Sequence, residues 1–186
     1  MIARILCLAV LALELLAVIR MDRNRRSWNL LVFYTQLSNL AAAVSATLLL
    51  ALGETPWIAV LRYLSACMLV MTFFVTACVL IPMGGDPKKL LWSGSGLFHH
   101  VLCPLLSTVS YIFFENHAGL IWLWLPPAVT LIYGLTLLYL NGKEIVDGPY
   151  PFFRVRHQSA LATVLWMTAL MAAVSGISAL VWAIAK

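Results

Sequence analysis

Six uninterrupted apolar runs fill almost the whole chain, each near the roughly 20 residues that carry a helix across a hydrocarbon core. They cover residues 2–19, 28–52, 57–81, 93–114, 120–140 and 157–185. The runs are continuous rather than alternating, which excludes a transmembrane barrel, because barrel strands present apolar residues only at every second position. Only 10% of the 186 residues are charged against 63% hydrophobic, too little charge to cover a water-soluble surface. The expected fold is an all-α integral membrane protein, a single six-transmembrane-helix bundle over 1–186 with no room for a soluble domain.

The punctuation agrees with this division. Gly53 and Pro56 stop the second run, and Pro82, Gly84, Gly85 and Pro87 break the third. The first run lacks a small-x-small cleavage pattern and is followed by arginines, so it reads as a retained span. Loops one, three and five carry Arg20, Arg23, Arg25, Arg26, Lys88, Lys89, Lys143, Arg154 and Arg156, whereas loops two and four carry no basic residue. The positive-inside rule then predicts loops one, three and five in the cytoplasm and both termini outside. Trp28 and Trp92 would mark the inner interface, and Trp57, Trp122, Trp124 and Trp182 the outer one. The net charge of +5 is thus a matter of topology, and no basic stripe for nucleic acid exists. All four cysteines fall inside apolar runs and read as small hydrophobes.

Polar side chains are costly in hydrocarbon, so the stretch Tyr34-Thr35-Gln36-Leu37-Ser38-Asn39-Leu40 marks a candidate site. Thr35 lies about seven residues from the cytoplasmic end of its span, roughly 10 Å deep at 1.5 Å per residue. His99 and His100 stand at a similar depth in the fourth span, and Glu14 about six residues before Arg20 in the first. Thr35, Ser38, Asn39, Ala42 and Ala46 share one small, polar helix face. Gly96, His100, Cys103, Ser107 and Tyr111 form a similar stripe, which favours His100 over His99 on periodicity. Thr35 would be a nucleophile, His100 or His99 its base, and Asn39, Gln36 or Ser38 would position substrate or bind an oxyanion. Glu14 would orient the imidazole. Packing between helices is the plainer role for Thr, Ser and Asn in membranes. Adjacent histidines do not share a face, so no metal or other cofactor is expected. The stiff, aromatic run Asp147-Gly148-Pro149-Tyr150-Pro151-Phe152 suits either a gate, through Tyr150 and Phe152, or an interfacial turn into the last span.

Three of these pieces, Phe33-Tyr34-Thr35-Gln36-Leu37-Ser38-Asn39-Leu40, His99-His100-Val101-Leu102-Cys103-Pro104 and Tyr150-Pro151-Phe152, occur in an order that resembles the androgen-induced membrane protein family. That family includes the androgen-dependent TFPI-regulating proteins and bacterial relatives, and the bacterial branch looks closer. The resemblance implies an intramembrane hydrolase with a threonine nucleophile and a histidine partner, whose animal members cleave fatty acid esters of hydroxy fatty acids. Thr35 matches the threonine. Spacing to Pro104 matches His99 to the animal members and His100 to the bacterial pattern. Ser38 stands where animal members carry a carboxylate. The implied setting is a bacterial inner membrane, with a lipidic ester taken from the bilayer as substrate. An acyltransferase, a non-catalytic membrane scaffold and a small-solute transporter are the competing readings, although the two halves show no internal repeat of the transporter kind.

Overall fold

The computed structural model describes residues 1–20 and 31–185. Its helices are α1 (Ile2–Arg20), α2 (Tyr34–Leu52), α3 (Pro56–Val75), a short α4 (Gly94–Leu97), α5 (Cys103–Phe114), α6 (Leu125–Gly142) and α7 (Ala160–Ile184). Six stretches are long and apolar enough to span a membrane, with α4, a π turn and α5 together making the fourth, Gly94–Phe114. Arg23, Arg25, Arg26, Trp28 and Lys186 lie outside the described residues. So does the start at residue 28 foreseen for the second span, whose α-helix begins at Tyr34.

The packing is that of a protein in lipid. Large apolar side chains such as Leu15, Phe113 and Leu165 are at least 60% exposed. The buried set includes Ser38, Asn39, Ser45, Ser65, Thr72, Thr76, Ser107, Ser110 and Ser178. Lipid tails are as apolar as leucine, so association between helices relies on close approach of small residues and on interhelical hydrogen bonds. Helix α3 is the hub, packing against α2, α5, α6 and α7, while α1 closes the other side against α2 and α5. Its start is capped by Thr55 Oγ1, which accepts from the Ile58 N–H at 3.3 Å, with Pro56 in the first turn.

Two spans depart from regular α-helix, and proline explains both. Thr76–Leu80 and Phe98–Leu102 are π turns, ahead of Pro82 and Pro104. A proline inside a helix lacks its N–H and its ring crowds the carbonyl four residues back, and a wider turn relieves that contact. In the second π turn the Cys103 N–H reaches back five residues to the Phe98 carbonyl. In the same register the His99 carbonyl faces residue 104, a proline with no proton to give.

The other spans are trimmed at their ends. Leu120–Trp122 is a 3-10 turn, and α6 proper begins at Leu125 because Pro126 and Pro127 suit a first turn. Residues 151–157 form two 3-10 turns, so the last span starts at Ala160 and His157 stands outside it. Trp57, Trp122 and Trp124 gather at one end of the bundle, with ring centroids 5.7 and 6.3 Å apart in sequence. The loop before α7 is firmly held. Asn141 Nδ2 donates to the Val146 carbonyl, its Oδ1 accepts from the Val155 N–H, and Gln158 Nε2 donates to the Phe152 carbonyl.

Candidate active site

The polar stretch at the start of α2 faces two ways. One direction leads to His99. Its Nε2 lies 3.4 Å from Glu14 Oε2 on α1, and its Nδ1 lies 3.4 Å from Gln36 Nε2 on α2. With the Gln36 amide donating to Nδ1, the ring proton belongs on Nε2, facing the carboxylate. Asn39 Nδ2 donates to the His99 carbonyl at 3.3 Å and to the Thr35 carbonyl at 2.7 Å. Asn39 therefore supplies the proton that Pro104 cannot, and it ties the turn carrying His99 to the turn carrying Thr35. Glu14 Oε1 and Asn39 Oδ1, both buried, have no hydrogen-bond partner among the described residues.

The second direction leads to a narrow, largely apolar cavity with about 40 Å³ of room for water-sized occupants. Thr35, Thr72, Thr76, Tyr133, Tyr150 and Phe152 are among its walls. Ser38 Oγ is shared between the Thr35 carbonyl, at 2.9 Å, and Thr72 Oγ1, at 2.8 Å, which fixes the first turn of α2 against α3. On the other flank Tyr34 bonds Thr130 at 2.8 Å and Tyr133 donates to the Val32 carbonyl at 2.8 Å, both from α6. A wider apolar groove of about 440 Å³ between α2 and α6 shares the Tyr133 wall with the cavity.

Tyr150 and Phe152 are buried in the bundle, their rings stacked 5.3 Å apart at 6°. The Thr35 N–H points to the Tyr150 hydroxyl at 3.5 Å. Burial pushes the Tyr150 phenol above its ordinary pKa, against the opposing effect of its bonds to Thr35, so it keeps its proton at neutral pH.

Helix periodicity favours His100, whereas the geometry turns His99 toward Glu14 and Gln36. His100 Nδ1 meets the Leu90 carbonyl at 2.8 Å, on the side of the third loop. It is His99, buried, that meets Glu14 and Gln36. The π turn inserts an extra residue into one turn, so a face read at 3.6 residues per turn slips by one position across it. Gly96 assists, because a Cβ there would sit 2.5 Å from the Lys89 carbonyl oxygen and 2.7 Å from that of Leu90. Among the described residues no hydrogen bond joins Thr35 Oγ1 to either histidine. Gln36 and Asn39, foreseen as oxyanion donors, spend their N–H groups on His99 and on backbone carbonyls, and Ser38 faces Thr72.

Sequence reasoning missed the cavity wall supplied by Thr72, Thr76 and Tyr133, and it left Arg62 unassigned. Arg62 forms a buried two-pronged ion pair with Glu115, Nε to Oε2 and Nη2 to Oε1 both at 2.7 Å. Ser110 Oγ donates to the same carboxylate at 2.5 Å, and Arg62 Nη1 reaches Ser45 Oγ at 3.4 Å. The signal was available, since an arginine inside a span requires a carboxylate at its own depth, and Glu115 ends the fourth span on the matching side. Compared with protein-family models, curated proteins and solved structures, the chain matches none.

Proposed function

We propose that the chain is an integral membrane hydrolase of lipidic esters, with Thr35 as nucleophile, His99 as base and Glu14 as the carboxylate that orients the imidazole. The observation that carries this reading is the Glu14–His99–Gln36 chain, assembled from three spans and bonded through Asn39 to the turn that bears Thr35. Helix packing alone gives no reason to bury a carboxylate against an imidazole at this depth.

In the reaction, Thr35 Oγ1 attacks the acyl carbon and its proton passes to His99 Nδ1, the nitrogen now met by Gln36. The tetrahedral intermediate collapses, and the leaving alkoxide takes that proton from His99. Water, deprotonated in turn by His99, then cleaves the acyl-threonine and releases the fatty acid. Glu14 stabilises the imidazolium that forms in each half. Thr35 Oγ1 and His99 would come into hydrogen-bond range when Gln36 swings away on substrate binding, because such contacts commonly tighten only in the occupied site. The apolar groove between α2 and α6 suits entry of an acyl chain from the side, with Tyr133, Tyr150 and Phe152 as a gate over Thr35. The basic bias of the loops supports loops one, three and five as cytoplasmic, and the bacterial inner membrane is what the resemblance implies.

The test is labelling of the purified, detergent-solubilised chain with a fluorophosphonate probe. Wild type should label, and Thr35→Ala and His99→Ala should not. Labelling that is absent, or indifferent to both changes, would favour a packing role for the same polar stripe.

A further inference from the structure

Helix α2 begins without a side-chain cap, since Phe33 offers none. The first N–H groups of a helix have no partner within it. Thr35 is in that first turn, and its N–H has the Tyr150 hydroxyl at 3.5 Å, beyond the 2.7–3.2 Å of a well-made bond. The same phenol also faces the Tyr34 N–H and the Thr35 side chain. Tyr150 is 7% exposed and forms part of the cavity wall. Its ring is fixed by the flat stack on Phe152 and by an edge contact with Phe33 at 6.2 Å. Its loop is pinned by Asn141 and Gln158. A buried hydroxyl thus stands beside two under-used backbone donors, at the edge of a cavity that Thr35 also lines.

We propose that the Thr35 N–H and the Tyr150 O–H together form an oxyanion hole, which takes the carbonyl oxygen of an acyl ester presented to Thr35 Oγ1. This assignment rests on the hydrolase reading and deepens it. The Thr35 N–H lies nearly in line with the phenol oxygen at 3.5 Å, so an acyl oxygen takes that N–H as the Tyr150 hydroxyl shifts off the line and turns its proton to the same atom, two donors being what a developing oxyanion needs. The positive end of the α2 dipole adds to it. On substrate arrival the Thr35 N–H exchanges the long contact with the phenol for the carbonyl oxygen, and the phenolic proton turns to the same atom. Burial keeps that proton in place at neutral pH. Asn39 is committed to the Thr35 and His99 carbonyls and contributes nothing to this hole.

The experiment follows hydrolysis of p-nitrophenyl octanoate by the full chain in detergent micelles. Tyr150→Phe keeps the ring stack and removes only the hydroxyl, so kcat should fall about 10²- to 10³-fold, the usual cost of one oxyanion donor, with KM changed less than about threefold. Fluorotyrosine installed at position 150 folds as the native ring does and ionises at lower pH. The alkaline limb of the kcat profile should move down with it, a shift that a capping role would not produce. Thr35-dependent turnover with Tyr150→Phe at wild-type kcat, or with an unmoved pH profile for the fluorotyrosine protein, overturns the oxyanion assignment alone. Turnover equal in wild type and Thr35→Ala removes the hydrolase reading and this assignment with it. Should Tyr150→Phe fail to fold, the fluorotyrosine profile decides.

Discussion

Glu14 Oε2 stands 3.4 Å from His99 Nε2, across the interface between the first and fourth spans. A carboxylate there holds the ring proton on Nε2 and leaves Nδ1 as the basic nitrogen toward α2. Glu14→Gln keeps an acceptor for the Nε2 proton and removes the negative charge that steadies the imidazolium formed in the reaction. Hydrolysis of p-nitrophenyl octanoate should then fall about 10²-fold or more, with fluorophosphonate labelling slowed in parallel. Activity within threefold of wild type would show that the carboxylate has no part in the chemistry.

The two histidines separate cleanly as variants. His99→Ala removes the base and should cost about 10²- to 10⁴-fold in kcat. His100→Asn alters a contact with the Leu90 carbonyl, at the third loop, and should leave kcat within about fivefold while lowering the melting temperature. A reversed order, with His100 the essential residue, would return the assignment to the face read from periodicity.

That reversal of faces marks where the sequence stops being legible. The spans were readable because their length answers to bilayer thickness and their flanks to Gly, Pro and basic residues. The shared depth of Thr35, Glu14 and the histidine pair was readable on separate helices, whereas Gln36 and Asn39 were read as oxyanion donors and not as partners of His99. Which histidine turns inward was not, because Pro104 opens a π turn between the histidines and the rest of the stripe, and a fixed period cannot carry across it. Tyr150 and Phe152 were readable as stiff and aromatic, yet their burial depends on Phe33 before α2, Tyr133 on α6 and Trp166 on α7, contacts that no local pattern encodes. Arg62 stands inside the third apolar run, and only the fold pairs it with Glu115.

That pair predicts a stability effect remote from the proposed chemistry. Arg62→Met leaves the Glu115 carboxylate buried with Ser110 as its remaining side-chain partner and should cost about 3–5 kcal/mol. Arg62→Met combined with Glu115→Gln removes both charges and should recover most of the loss. Reversible unfolding in mixed micelles measures both, and a single variant as stable as wild type would show that the pair contributes nothing to holding α3 against α5.

Pro104 offers the most direct control of the candidate site, because it follows the π turn that aims His99. Pro104→Ala restores an N–H and removes the ring that crowds the carbonyl of residue 100. The segment should close toward regular α-helix, the His100 carbonyl gaining the new donor. His99 would rotate off Glu14, and Asn39 would lose its acceptor on the His99 carbonyl. Labelling of Thr35 and ester turnover should fall at least tenfold while the melting temperature holds or rises, since a helix gains a hydrogen bond and loses a proline. A loss of function with unchanged or greater stability is the signature of strain retained for a site. If Pro104→Ala labels as wild type does, the bundle rather than the proline sets the histidine face, and the π turn is incidental to whatever chemistry occurs at Thr35.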